Sequence, residues 1–124
     1  PQMTESLLLV DKYIDQVAII ADQRKFVSAL IVPEFRMIEE WAREHHIKFE
    51  SREDLCASKE VYDMMKERIE TLQQQLAHYE QIKRFTLLAH HFSMESGELT
   101  NTLKLRRPII CKNYKDVIDK MFEE

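Results

Sequence analysis

Glycine is almost missing from this chain of 124 residues: Gly97 is the single copy, where ordinary usage of about 7% would supply about nine. One glycine builds no P-loop, no dinucleotide-binding fingerprint and no other glycine-cradled phosphate site. If the chain handles phosphate, it does so with side chains. Cysteine is scarce as well. Cys56 and Cys111 make no CxxC pair and read as two reduced thiols of a cytosolic protein rather than as a disulfide. Long hydrophobic runs are lacking: none approaches the roughly 18 residues of a membrane span, and the opening residues do not read as a signal peptide. Net positive charge is also missing. With 18 Lys/Arg against 22 Asp/Glu the formal charge is −4, which exerts no overall pull on nucleic acid or anionic lipid.

What is present suffices for one core. The chain is 44% hydrophobic and 32% charged, and its length fits one domain rather than two. Charge is unevenly spread. Between Lys83 and Lys115 stand Lys83, Arg84, Lys104, Arg106, Arg107, Lys112 and Lys115 against only Glu95 and Glu98. The chain opens at Pro1 and passes at once into an amphipathic segment, which reads as a start inside a longer protein.

Residue patterning predicts the elements in order. Met3 to Asp11 reads as a short helix with Thr4 as its N-cap. The β-branched runs Gln16–Ala21 and Phe26–Val32 flank the polar link Asp22-Gln23-Arg24-Lys25, which is a hairpin. Both runs are nearly continuous in apolar residues, so their sheet is well covered on at least one face. Pro33-Glu34 opens a helix to about His46, with proline in its first turn and Phe35, Ile38, Trp41 and Ala42 on its apolar face. Ser51 caps another helix, with Asp54 in the capping-box position. Lys59 to about Tyr79 carries Val61, Met65, Ile69, Leu72, Leu76 and Tyr79 on one stripe, a helix of five or six turns. Lys83 to Ser93 is the third strand, joined to the hairpin's sheet through the helical crossover. Ser96-Gly97-Glu98 is a turn in which Gly97 takes positive φ. Leu99 to Leu105 is an extended or irregular loop, and a final helix from about Arg107 holds Pro108 in its first turn and Ile110, Tyr114, Val117, Ile118 and Met121 on one face. The expected class is α+β: a small, mostly antiparallel three-stranded sheet, hairpin plus one strand, with packed helices.

Few residues signal chemistry. His45-His46 and His90-His91 are adjacent pairs whose members point apart, and no spacing marks a metal site. One histidine of each pair is expected to be packed and the other wet. The Lys59–Tyr79 stripe approximates a heptad seam over about three heptads, too short to favour a coiled-coil arm over packing on the domain's own sheet. The basic stretch lacks aromatic interleaving and any nucleic-acid motif. Lys104, in a loop between a turn and a helix, is by default a solvated lysine.

A resemblance changes that default. Gly97-Glu98-Leu99-Thr100-Asn101-Thr102-Leu103-Lys104-Leu105-Arg106-Arg107 resembles the terminal motif of AMP-forming long-chain fatty acid–CoA ligases, members of the adenylate-forming superfamily. Tyr13 to Ile20 and Asp22 to Pro33 are similar to the same family's C-terminal hairpin, Pro1 to Ser6 to the segment just after its hinge, and Tyr114 to Asp119 to its closing helix. The likeness runs end to end. Asn101 stands where the family usually has proline, which keeps the lysine's register. Leu103 stands where many relatives outside the long-chain group have glycine.

The resemblance implies that residues 1–124 are the C-terminal mobile domain of such a ligase. Lys104 would be the catalytic lysine of acyl-adenylate formation, because an ammonium reaching both carboxylate and α-phosphate offsets the repulsion between two anions. Arg106 and Arg107 would support the loop or an interdomain contact. ATP, Mg2+, CoA and a fatty acid would be used by the full-length enzyme. None of these is expected to bind tightly to the domain alone, whose partner is the N-terminal adenylation domain of the same polypeptide. The domain would swing about the hinge for thioester formation, and it would be inactive in isolation. No residue is assigned to CoA, no metal site and no nucleic-acid partner are expected, the location implied is cytoplasmic, and the parent is open to peripheral membrane association. The competing reading is a stand-alone interaction module with the same fold.

Overall fold

The two β-branched runs form the expected hairpin in a computed structural model that describes residues 2–123. Pro1 lies outside the described residues. The elements are α1 (Gln2–Leu9), β1 (Ile14–Ile20), β2 (Val27–Pro33), α2 (Phe35–Glu44), α3 (Arg52–Ala57), α4 (Lys59–Leu72), a 3₁₀ turn (His78–Glu80), β3 (Ile82–Leu87), α5 (Arg107–Asn113) and α6 (Lys115–Met121). The class is α+β, as expected.

The sheet has the order β1-β2-β3. β1 pairs antiparallel with β2, Ala18 opposite Leu30 and Val17 opposite Ile31. β3 pairs parallel with β2, Ala29 opposite Phe85 and Ile31 opposite Leu87. The sheet is therefore mixed, with one pair of each kind instead of a mostly antiparallel arrangement. The three helices between β2 and β3 return the chain to the end of the sheet where β2 began, and a strand entered after such a crossover runs parallel. β2 is the central strand, and Ala29, Leu30, Ile31 and Val32 are each 0% exposed. Burial on both faces explains why its apolar run does not alternate.

Several boundaries differ from the sequence reading, each for a local reason. α1 begins at Gln2, so Thr4 lies inside the helix instead of capping it. Pro33 closes β2 opposite Ile14, and Glu34 is the N-cap of α2, its carboxylate accepting from Arg36 N. A proline without N–H suits a strand end as well as a first helical turn. Ser51 caps α3 as expected, its hydroxyl accepting from Asp54 N at 3.1 Å, while the Asp54 carboxylate accepts from Glu50 N at 2.9 Å. α4 stops at Leu72, well short of Tyr79. The cause is Gln73, a buried side chain whose amide donates to Ile82 O at 3.0 Å and accepts from Ile82 N at 2.8 Å. That pair folds the chain back on itself, and Tyr79 is left 79% exposed. The shortened α4 packs its Val61, Met65 and Ile69 into the core and lies against α1 and α3, not out in solvent as an arm. β3 ends at Leu87 rather than Ser93, with Leu88 N still donating to Ile31 O at 2.8 Å. The final helix is broken at Tyr114, whose φ of −113° and ψ of 26° separate α5 from α6.

Neither histidine pair has the packed member expected of it. His45 stacks on Trp41, ring centroids 4.3 Å apart, His90 meets Glu53 at 3.3 Å and His91 pairs with Asp15, and each of the four paired histidines is exposed.

Side chains seal both outer strands. On β1, Ile19 N donates to the Glu5 carboxylate at 2.9 Å and Ile19 O accepts from Arg107 Nε at 3.3 Å. Separately, the Gln16 side chain of β1 reaches beyond the sheet and exchanges two hydrogen bonds with the Phe92 backbone, at 2.7 and 3.2 Å. On β3, Gln73 serves Ile82, and Tyr62 donates its hydroxyl to Phe85 O at 3.3 Å. Filling backbone groups in this way removes a template for pairing with a second chain.

Candidate functional site: the Lys104 turn

The turn after β3 is built from one glycine and one buried acid. Gly97 has φ +79°, the left-handed region that glycine enters without cost. Glu98 follows and is 4% exposed. Its carboxylate accepts from the Ser96 hydroxyl at 2.6 Å and from Asn113 Nδ2 at 3.0 Å, and its carbonyl accepts from Arg106 N at 2.8 Å. Glu98 thereby joins the entry of the loop, its exit and the last residue of α5. It also acts on Tyr114, whose hydroxyl is pushed above its ordinary pKa by burial first and by the Glu98 charge second.

Between these ends the chain is a loop, as expected, but one ordered by its own hydrogen bonds. Leu99 and Leu105 form an antiparallel bridge. Inside it, Thr100 N donates to Lys104 O at 2.8 Å, Leu103 N donates to Thr100 O at 2.9 Å and Lys104 N donates to Thr100 Oγ1 at 3.0 Å. The segment closes on itself as a tight turn with Leu103 at φ +63°, although leucine carries a Cβ. Four local hydrogen bonds, counting Arg106 N to Glu98 O, hold what composition alone makes look loose.

Lys104 points from this turn into solvent. Its side chain is exposed, and its ammonium makes no hydrogen bond or ion pair with another described residue. Arg106 is likewise exposed and its guanidinium unpaired among the described residues. Arg107, first residue of α5, is turned inward: its guanidinium pairs with Glu5 of α1 and donates to Ile19 O of β1. The two arginines thus have different surroundings. Sequence reading passed over Glu5, Glu98 and Thr100. A signal for Glu5 existed, since an acid three residues before Leu8 shares its helical face, and Leu8 is 0% exposed. Nothing in the residue pattern marks Thr100 as the closing residue of the turn.

Chemically, a turn fixed by its own backbone and tipped with an unpaired ammonium can present positive charge to anions held by another body. Cys56 lies on α3, and burial, followed by the Glu53 charge, pushes its thiol up to about 11, which leaves it protonated at neutral pH. Among the described residues no three His, Cys, Asp or Glu side chains gather to hold a metal. No helix in the described residues is long and apolar enough to cross a membrane.

The chain is similar to known proteins. The family model described as AMP-binding enzyme C-terminal domain matches residues 1–124. A probable CoA ligase of Humulus lupulus is 34% identical over 103 residues, covering 80% of this chain and 15% of that protein. Long-chain-fatty-acid–CoA ligase 1 of Homo sapiens is 28% identical over 125 residues, 98% of this chain and 18% of that protein. Among solved structures, the adenylation domain of a carboxylate reductase from Mycobacterium chelonae superposes with a TM-score of 0.78 over 99% of this chain and 18% of that one, at 17% identity. An acyl-CoA synthetase of Brucella canis gives 0.53 over 95% and 18%, at 16% identity. The structural likenesses establish the fold, and the chain spans less than a fifth of each of these relatives. With a family model covering every residue, the chain belongs to the C-terminal domain family of AMP-binding enzymes.

Proposed function

We propose that this chain is the C-terminal mobile domain of an AMP-forming long-chain fatty acid–CoA ligase, and that Lys104 is the lysine it supplies for adenylation. The observation that carries the reading is the unpaired Lys104 ammonium at the tip of a turn braced by its own backbone. In adenylation a fatty acid carboxylate oxygen attacks the α-phosphorus of ATP. The bond from that phosphorus to the pyrophosphate oxygen breaks, and pyrophosphate leaves with the electron pair. Two anions must approach each other before any bond forms. An ammonium about 4 Å from an anion at an effective dielectric of about 20 is worth roughly 4 kcal/mol, enough for about a thousand-fold in rate. Lys104 would donate hydrogen bonds to the carboxylate and the α-phosphate oxygens as charge shifts between them.

The remaining parts belong elsewhere in the parent polypeptide. With one glycine, this domain offers no backbone cradle for phosphate, so ATP and the fatty acid would be held by an N-terminal adenylation domain. The Mg2+ such ligases use finds no ligand cluster among the described residues, so its ligands would come from the rest of the parent. After adenylation the domain would rotate as a body, withdraw Lys104 and admit CoA. Leu103 in the position before the lysine, together with relatives named as long-chain ligases, supports the long-chain branch. Two free thiols support a cytoplasmic location. Arg107, through Glu5 and Ile19, would hold the base of the loop against α1 and β1, and exposed Arg106 would serve the interdomain contact.

The test separates the half-reactions in the full-length parent. Lys104→Ala should lower adenylation, followed by pyrophosphate release, about a thousand-fold, and leave thioester formation from supplied acyl-adenylate intact. Equal loss of both steps would refute the role. The domain alone should catalyse no ATP–pyrophosphate exchange.

A further inference from the structure

Both backbone polar groups of Lys104 end on the same residue. Thr100 donates its N–H to Lys104 O at 2.8 Å, and its Oγ1 accepts from Lys104 N at 3.0 Å. Its carbonyl accepts from Leu103 N at 2.9 Å, the residue just before the lysine and the one at φ +63°. That conformation is disfavoured for any residue with a Cβ and persists only where neighbours over-determine it. The Thr100 hydroxyl lies 3.1 Å from Thr102 Oγ1, so it can donate there while accepting from Lys104. No other side chain bonds the Lys104 backbone among the described residues.

We infer that Thr100 is a positioning residue for Lys104: its hydroxyl and main chain set the direction in which the lysine leaves the turn, and its effect on chemistry passes through that ammonium. The inference rests on the function proposed above. A lysine carries four flexible methylenes, so the ammonium samples a cone whose axis is the Cα–Cβ bond. A turn that drifts moves the whole cone. Misplacement by an ångström in a pre-organised site costs as much as 100-fold, and loosening one of the three Thr100 contacts should cost about a tenth of that.

Thr100→Val keeps the shape, the β-branch and both main-chain bonds, and removes only the hydroxyl. Thr100→Ser keeps the hydroxyl. In the full-length parent, Thr100→Val should lower kcat for adenylation roughly ten-fold, with KM for ATP within about two-fold. Thioester formation from supplied acyl-adenylate should be unchanged, and Thr100→Ser should return kcat to within about three-fold of the parent. In a Lys104→Ala background, Thr100→Val should add nothing, because the group it positions is gone. Three results would overturn the inference. One is a kcat for Thr100→Val within about two-fold of the parent. Another is the same ten-fold loss on top of Lys104→Ala, which would mean that Thr100 touches substrate itself. The last is an equal fall in both half-reactions together with a lowered Tm, which would mean that it only holds the fold. If Lys104→Ala leaves adenylation untouched, the proposed function fails and this inference with it. If Lys104→Ala abolishes adenylation while Thr100→Val does not slow it, the inference alone fails.

Discussion

The outer edge of β1 and the Lys104 turn use charge in opposite ways. At β1, Glu5 is 7% exposed and its carboxylate is consumed internally by Ile19 N and the Arg107 guanidinium. On the turn, the Lys104 and Arg106 side chains stand in solvent with no partner among the described residues. One region converts charge into stability, and the other keeps it available. The two meet at adjacent residues: Arg106 faces out and Arg107 faces in. A buried carboxylate must be matched where it sits, because an uncompensated charge in the interior is costly. An exposed ammonium needs no match and leaves the fold indifferent to it.

Substitutions should separate the two regions by size of effect. Glu5→Gln keeps an acceptor for Ile19 N but removes the charge that Arg107 faces, and should cost about 2 kcal/mol in urea unfolding. A cycle with Arg107→Gln should show the two losses to be non-additive; additive losses would mean that the pair is not coupled. Gly97→Ala should cost about 1 kcal/mol. The added Cβ would meet only Ile109 Cγ2 at 3.6 Å, so the loss is conformational, from φ +79°, and not steric.

A smaller, pH-dependent effect belongs to Asp119 on α6. Its carboxyl is held below the ordinary 3.8, mainly by the hydrogen bond from Lys115, against an opposing desolvation, and with help from that lysine's charge and from Arg24. A carboxyl depressed on folding stabilises above its unfolded pKa and stops doing so as pH falls through its folded value. Asp119→Asn should therefore lower the urea midpoint slightly at pH 7, and the difference from the parent should shrink as pH falls from neutral and vanish below the carboxyl's depressed folded value. A gap that widens in acid would reverse the assignment. The smallest stability effect is expected for Lys104→Ala, within about 0.5 kcal/mol, beside its large effect on adenylation. A destabilised Lys104→Ala domain would erase the contrast between the two regions.

Much of the fold was readable in the residue pattern, and the misses share a cause. The hairpin, the Ser51 cap, the positive φ at Gly97 and the proline in the first turn of α5 follow from local chemistry, and the structure has all four. The apolar period of α4 continued past its real end because Leu76 and Tyr79 kept the spacing. Nothing within that segment announces that Gln73 will bond the Ile82 backbone. Likewise the Leu99–Leu105 stretch looked structureless, since a turn closed by one threonine has no periodicity. Lys104 became a candidate through resemblance; as a residue in a pattern it was one exposed cation among several.

By itself, the sequence determined the class, the hairpin, one core and the lack of any glycine-built phosphate site, because these depend on residue type and near-neighbour spacing. Tertiary structure alone decided the parallel seat of β3, the burial of Glu5 and Glu98, and the inward turn of Arg107 beside the outward turn of Arg106. It also decided that the turn around Lys104 closes on its own backbone bonds while the ammonium has no partner among the described residues. Each of these depends on partners distant along the chain or on the sense of a crossover. Such contacts form only when packing brings the elements together, and they leave no period in the sequence to read.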